Sequence, residues 1–185
     1  MKQANKRVLE SERLYLRTFT IDDIDMYYPT LMNEEMRRLT GTHALFTREG
    51  VAQFIEESAG DSSRIDLLIT LKPEEQVIGE ISLMDIDRTN RNAHIRIAIF
   101  ESSNCGQGYG TEAMEMLLDY AFGNLNLHRV ELSVYSFNER AIASYEKLGF
   151  SREGIQREVL YYDYQYHDAI GMSILEHEFR ERQQK

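Results

Sequence analysis

The chain of 185 residues carries 31 acidic against 21 basic side chains, a formal net charge of −10. That balance speaks against non-specific nucleic-acid binding, which needs a basic patch; it suits attraction of a cationic partner such as an amine, and equally solubility alone. No apolar run approaches the ~20 residues of a membrane span, the charged start at residues 1–7 has no apolar stretch behind it and does not read as a signal peptide, and the lone Cys105 excludes an internal disulfide or a cysteine-rich metal site. One domain over residues 1–185, in the cytoplasm, is the expectation.

Residues 14–19 read as a first strand. Thr20, with Asp23 three residues on, caps a helix carrying Ile21, Ile24, Tyr28 and Leu31. Thr47 opens a second helix with Val51, Phe54 and Ile55 on one face. Residues 65–71 and 77–86 are strands joined by the turn Lys72-Pro73-Glu74-Glu75. A polar turn at 87–92 leads to a further strand ending at Phe100, over residues 94–100.

Next comes Asn104-Cys105-Gly106-Gln107-Gly108-Tyr109-Gly110-Thr111-Glu112, followed by helical spacing at Met114, Leu117, Leu118 and Ala121. Glycines at alternate positions accept positive φ and close approach of a ligand, and the helix start aims unpaired N–H groups at the turn. A phosphate or pyrophosphate suits that place; a plain flexible loop is the other reading. The spacing fits neither a dinucleotide fingerprint nor a P-loop.

Beyond Gly123-Asn124, residues 129–134 alternate Val130, Leu132 and Val134 as a strand, so that strand, helix and strand form a parallel crossover. Residues 138–148 form a helix stopped by Gly149. Asn138, Ala141 and Tyr145 fall on one face of it, where small Ala141 leaves room for a narrow ligand. Tyr145 offers a phenolic proton there, or else packs as an amphipathic core residue. Strands at 156–162 and 166–175 flank a turn at Asp163-Tyr164-Gln165, and residues 180–185 read as a polar tail. His43, His94, His128, His167 and His177 show no zinc spacing, and no metal is expected.

Residues 9–178 resemble the Gcn5-related N-acetyltransferases, especially the branch of ribosomal-protein amino-terminal and spermidine acetyltransferases. Residues 106–113 resemble the acetyl-CoA pyrophosphate loop, 138–150 the later motif in which Asn138 and Tyr145 serve the cofactor, and 162–168 the closing hairpin. The resemblance implies an α/β (α+β) fold with a mixed, mostly antiparallel sheet, a parallel crossover at its centre and flanking helices. Its sheet splays between the fourth and fifth predicted strands. Pantetheine threads that gap along Ile97, Ala98, Ile99 and Phe100. Acetyl-CoA then meets Cys105, Gly106, Gln107, Gly108, Tyr109, Gly110, Thr111, Asn138, Ala141 and Tyr145.

Two positions depart from the family pattern. Cys105 stands where the loop usually begins with Gln or Arg, and reads as a small buried cysteine or a redox handle. His94 stands where many relatives carry a Glu that takes a proton from the amine, with Glu80 in the preceding strand as the alternative base.

The implied reaction is acetyl transfer to a primary amine, on a small molecule such as a polyamine or on a protein amino terminus, with Tyr145 protonating the departing thiolate. Tyr27, Tyr28, Tyr161, Tyr162, Tyr164 and Tyr166 are candidates for cation–π contact with an ammonium, or simply pack the sheet. A non-catalytic acyl-CoA sensor on the same fold is the rival reading, and self-association is left open.

Overall fold

The computed structural model describes residues 7–184. The charged start at residues 1–6 and the final Lys185 lie outside the described residues. An eight-stranded sheet runs in the order β1-β2-β3-β4-β5-β6-β8-β7. Its strands are β1 (Arg7–Glu10), β2 (Leu14–Thr18), β3 (Ile65–Leu71), β4 (Val77–Asp87), β5 (Asn92–Ile99), β6 (Arg129–Tyr135), β7 (Ser151–Tyr162) and β8 (Gln165–Leu175). All neighbours are antiparallel except β5 and β6, which are parallel. The helices are α1 (Ile24–Thr30), α2 (Glu34–Thr40), α3 (Arg48–Ser58), α4 (Tyr109–Gly123), α5 (Glu139–Leu148) and α6 (Glu176–Gln183).

Successive side chains along each strand point to opposite faces of the sheet, and both faces are covered over its centre. Ile95 joins Leu16, Ile69, Ile81, Leu83, Val130, Leu132 and Met172 in a core with Met114, Leu117 and Leu118 of α4, Ile142 of α5 and Phe179 of α6. Ala98 and Leu68 point the other way, into a smaller cluster with Tyr27, Met36, Val51, Ile55 and Phe100. Strand β2 is buried over Leu14, Tyr15, Leu16 and Arg17, with no polar face. Strand β6 instead shows the strict alternation of a sheet with one open face. Arg17 is tolerated in the interior because its guanidinium forks onto Asp23, at 2.9 and 2.7 Å. Burial alone would raise the Asp23 pKa, but Arg17 and the Thr20 N–H outweigh it and hold the carboxylate below its usual range.

The register between β5 and β6 places the cleft. β5 and β6 pair only through Asn92 with Arg129, Ala93 with Val130 and His94 with Glu131. Past His94 the two parallel strands separate, while β5 stays paired with β4 as far as Ile99. The parallel crossover and the splay between these strands are as the sequence implied.

Other expectations shift. The strand at 14–18 is second, because Arg7–Glu10 precedes it at the sheet edge. The helix expected from Thr20 begins as a 3-10 turn, Ile21–Asp23, before α1. Helix α2 was not anticipated: Asn33 caps it by accepting from the Met36 N–H at 2.9 Å, and Gly41 ends it in the left-handed region. Strand β7 begins at Ser151, five residues earlier than its apolar pattern suggests, because an edge strand exposed over nearly all its length needs no alternation. Its register breaks between Arg152 and Gly154 and again between Gln156 and Leu160, which blunts the edge against further pairing. The hairpin turn narrows to Asp163 and Tyr164, both at positive φ. Finally, the tail is helical to Gln183, anchored by fully buried Phe179.

Candidate active site

The parting of β5 from β6 opens a cleft of about 690 Å³. His94, Ile95, Arg96, Ile97, Ala98 and Ile99 of β5 line one side, and Leu132, Ser133, Val134 and Tyr135 of β6 the other. The edge of β5 beyond His94 has no strand partner on that side, so its backbone groups are free for an extended ligand.

At the mouth stands the glycine turn. Gly106 and Gly108 take φ of 74° and 84°, conformations that L side chains rarely adopt. A Cβ at Gly106 would meet nothing within 4 Å, which leaves the loop open to a ligand. Helix α4 has no side-chain cap, and its first internal bond runs from the Glu112 N–H to the Gly108 carbonyl. The amides of Tyr109, Gly110 and Thr111 therefore have no backbone acceptor within the helix, the arrangement that binds phosphates. Thr111 Oγ1 lies 3.2 Å from Ser144 Oγ and ties α4 to α5 beside the cleft. Gly108→Val is expected to weaken acetyl-CoA binding about tenfold or more, from strain at positive φ. Calorimetry measures it, with circular dichroism unchanged as the control; unaltered affinity in a folded variant removes the loop from the site.

Helix α5 faces the loop across the cleft. Asn138 is spent on the fold: its side chain accepts the Ala141 N–H at 3.3 Å and caps the helix. Asn138, Arg140, Ala141, Ser144, Tyr145 and Lys147 all line the cleft, so this helix brings two cations and one phenol to it. The Tyr145 ring packs on Phe150 at 5.9 Å, and its hydroxyl bonds to no group among the described residues. Burial pushes the phenol up to about 12, so it stays protonated at neutral pH.

The sequence-derived residues divide clearly. Ile97, Ala98, Ile99, Cys105, Gly106, Gly108, Tyr109, Gly110, Thr111, Asn138, Ala141, Tyr145 and His94 all line the cleft. Gln107, Phe100 and Glu80 do not. Gln107 turns its amide back to the Ser103 carbonyl at 2.8 Å. Phe100 is buried against Tyr27 in the smaller core. Glu80, paired opposite Ala98, lies buried on the face covered by α1 and accepts the Tyr27 hydroxyl at 2.5 Å. Burial raises its pKa, against the opposing pull of Arg96, 3.9 Å away, and of Tyr27. Cys105 is partly exposed at the mouth rather than buried.

None of the six tyrosines proposed for an ammonium lines the cleft. Tyr27 is held by Glu80, Tyr28 donates to the Phe46 carbonyl at 3.3 Å, Tyr162 packs on His43, and Tyr161, Tyr164 and Tyr166 are exposed. Tyr135 does line it, stacked on Phe137 at 5.7 Å. It leans on Gly41, where a Cβ would sit 2.3 Å from its hydroxyl. Met36, Leu39, Thr40 and Thr42, from α2 and the turn after it, complete that end. The strand alternation that puts Val134 in the core points Tyr135 to the opposite face, a cue available from sequence.

The cleft thus combines a glycine turn before an uncapped helix, a splayed parallel pair and a tyrosine across the gap, and the family model of the Acetyltransferase (GNAT) domain matches residues 13–151. The chain belongs to the Gcn5-related N-acetyltransferases. The SPbeta prophage-derived uncharacterized N-acetyltransferase YokL of Bacillus subtilis is 30% identical over 169 residues, 91% of this chain and 93% of that one. Spermidine N(1)-acetyltransferase of Escherichia coli K12 is 38% identical over 101 residues, 55% of this chain and 54% of that one. The crystal structure of spermidine N-acetyltransferase from Vibrio cholerae with CoA and spermine superposes with a TM-score of 0.84 at 24% identity, over 90% of this chain and 98% of that one, a likeness of fold.

This acetyltransferase transfers an acetyl group from acetyl-CoA to an amine. The donor's thioester supplies an activated acyl carbon. The open space at Gly106, the three spare amides of α4 and the unpaired edge of β5 fit its phosphate and extended arm. Among the described residues no group of three His, Cys, Asp or Glu stands close enough to hold a metal ion.

Proposed function

We propose that the acceptor is a polyamine-like cation, with His94 taking the proton of its terminal amine and Tyr145 returning one to the departing thiolate. The observation that carries the residue roles is that His94 and Tyr145 line the same cleft. His94 forms the last rung of the β5–β6 pairing, half-buried at the bottom of the fork, and its ring makes no hydrogen bond among the described residues. Its lone pair is therefore free for an incoming ammonium. Glu80 lacks such access, because Tyr27 occupies its carboxylate and it does not reach the cleft.

In the transfer, the amine nitrogen forms a bond to the acyl carbon as the carbon–sulfur bond breaks. His94 accepts the proton that turns the ammonium into the attacking amine and releases it to solvent. The nitrogen loses a second proton to solvent once bonded to the acyl carbon, and Tyr145 gives its proton to sulfur and regains one from solvent. Rate also comes from holding both reactants in attack geometry within one narrow cleft.

The polyamine reading rests on the likeness to a spermidine acetyltransferase over 101 residues and on the net charge of −10. Free-thiol release with acetyl-CoA and a panel of spermidine, an aminoglycoside and a peptide with a free amino terminus tests it. Spermidine is expected to give the highest kcat/KM, falling as salt rises because exposed charges are screened beyond ~10 Å at 0.1 M. Faster turnover of the peptide with a flat salt profile overturns the acceptor assignment. No thiol release with any amine, despite binding, would return the sensor reading.

A further inference from the structure

Arg13 lies outside the cleft, in the turn between β1 and β2, yet it holds the glycine loop from behind. Its Nη1 donates to the Gln107 carbonyl at 3.0 Å, and its Nε to Glu112 Oε2 at 2.7 Å. The guanidinium carbon stands 4.9 Å over the Tyr109 ring. Ser11 Oγ holds the other Glu112 oxygen at 2.6 Å. The turn that carries Ser11 and Arg13 is itself pinned by Lys72, whose backbone N–H donates to the Arg13 carbonyl at 2.9 Å and whose Nζ donates to the Ser11 carbonyl at 2.6 Å.

The consequence follows from peptide geometry. In a trans peptide the carbonyl and the next N–H point in opposite directions. Fixing the Gln107 carbonyl on Arg13 therefore turns the Gly108 N–H away from Arg13, on a loop whose Gly106, Gly108 and Tyr109 line the cleft. Arg13 also answers an electrostatic problem. Glu112 sits in the first turn of α4, where an unpaired carboxylate would oppose a bound phosphate. The Arg13 fork cancels that charge beside the anion site while leaving the helix amides free.

We propose that Arg13 is a positioning residue for acetyl-CoA: it aims the Gly108 amide into the phosphate site and neutralises Glu112 beside it. This rests on the reading that the glycine loop holds the donor's phosphates. The specific element is the fork, since a lysine ammonium keeps the charge but cannot hold a carbonyl and a carboxylate in one plane.

The test is acetyl-CoA affinity by calorimetry, with melting temperature, kcat and KM, for Arg13→Ala, Arg13→Lys and Gly108→Val. Arg13→Ala is expected to raise Kd and the acetyl-CoA KM about tenfold, with kcat at saturating acetyl-CoA close to wild type. Arg13→Lys is expected to recover little of that loss. If Gly108→Val weakens binding and Arg13→Ala does not, the latch is wrong and the loop assignment stands. If neither weakens it, the loop assignment fails and the latch with it. Wild-type affinity in Arg13→Lys reduces the residue to a point charge and overturns the aiming role. A lower melting temperature with unchanged KM makes Arg13 a structural tie alone, which also overturns it. Should Arg13→Ala not fold, Arg13→Lys carries the test against Gly108→Val, with weakened acetyl-CoA binding expected and wild-type affinity overturning the aiming role.

Discussion

Tyr145→Phe is expected to lower kcat by about 10²-fold or more, the range of a general acid, with acetyl-CoA affinity and melting temperature unchanged. The substitution keeps the ring that packs on Phe150 and removes only a hydroxyl that has no partner among the described residues. No buried group is left unsatisfied, so the stability cost of a broken internal hydrogen bond does not arise. Burial has moved the phenol up to about 12, from ~10 in an unfolded chain. The shift disfavours phenolate, so the donor stays loaded throughout the working pH range and fails only as pH climbs toward 12. The same sign governs stability: the folded state holds this proton more tightly, so the contribution is complete below about pH 10 and is lost as pH rises from there through about 12. Single-turnover kinetics is the proper measurement, since slow product release hides a chemical defect. Wild-type single-turnover rates in the phenylalanine variant would remove Tyr145 from the chemistry.

The parts of this site that were legible in sequence are those where local physics dictates the backbone. Gly106 and Gly108 announce positive φ, and Asn138 and Gly149 bracket α5 with a cap and a left-handed stop. Tyr145 follows from those brackets by helical spacing alone. What stayed hidden depends on distant partners. Glu80 reads as a strand acid near the site, and only the packing of Tyr27 from α1 reveals that its face is closed. Helix α2 has seven residues and buries only Met36, too little for an apolar period, though it walls one end of the cleft. Arg13 is a polar residue in a turn, and its partner Glu112 lies 99 residues away. Strand β7 has solvent on one side of most of its length, so sequence alternation is not required of it.

The pair His94→Gln and Glu80→Gln decides which group relieves the amine of its proton. Both side chains stand on the same side of the sheet, opposite the α4 core: Glu80 pairs with Ala98, and His94 lies four residues before Ala98 on β5. Proximity alone does not separate them; access does. His94 opens to the cleft, whereas Glu80 is buried under Tyr27 and held by its hydroxyl at 2.5 Å. His94→Gln is therefore expected to lower kcat by about 10²-fold or more and to flatten the limb of the pH–rate profile that reports the base. Acetyl-CoA affinity should hold, because glutamine fills similar space and adds no charge. Glu80→Gln should keep turnover within about threefold, well short of what a lost base costs, since its carbonyl oxygen still accepts from Tyr27. The reverse pattern assigns the base to Glu80 and requires Tyr27 to release it when the amine binds. Mild effects in both variants leave water as the proton acceptor, and the enzyme's contribution then lies in Tyr145 and in alignment along β5.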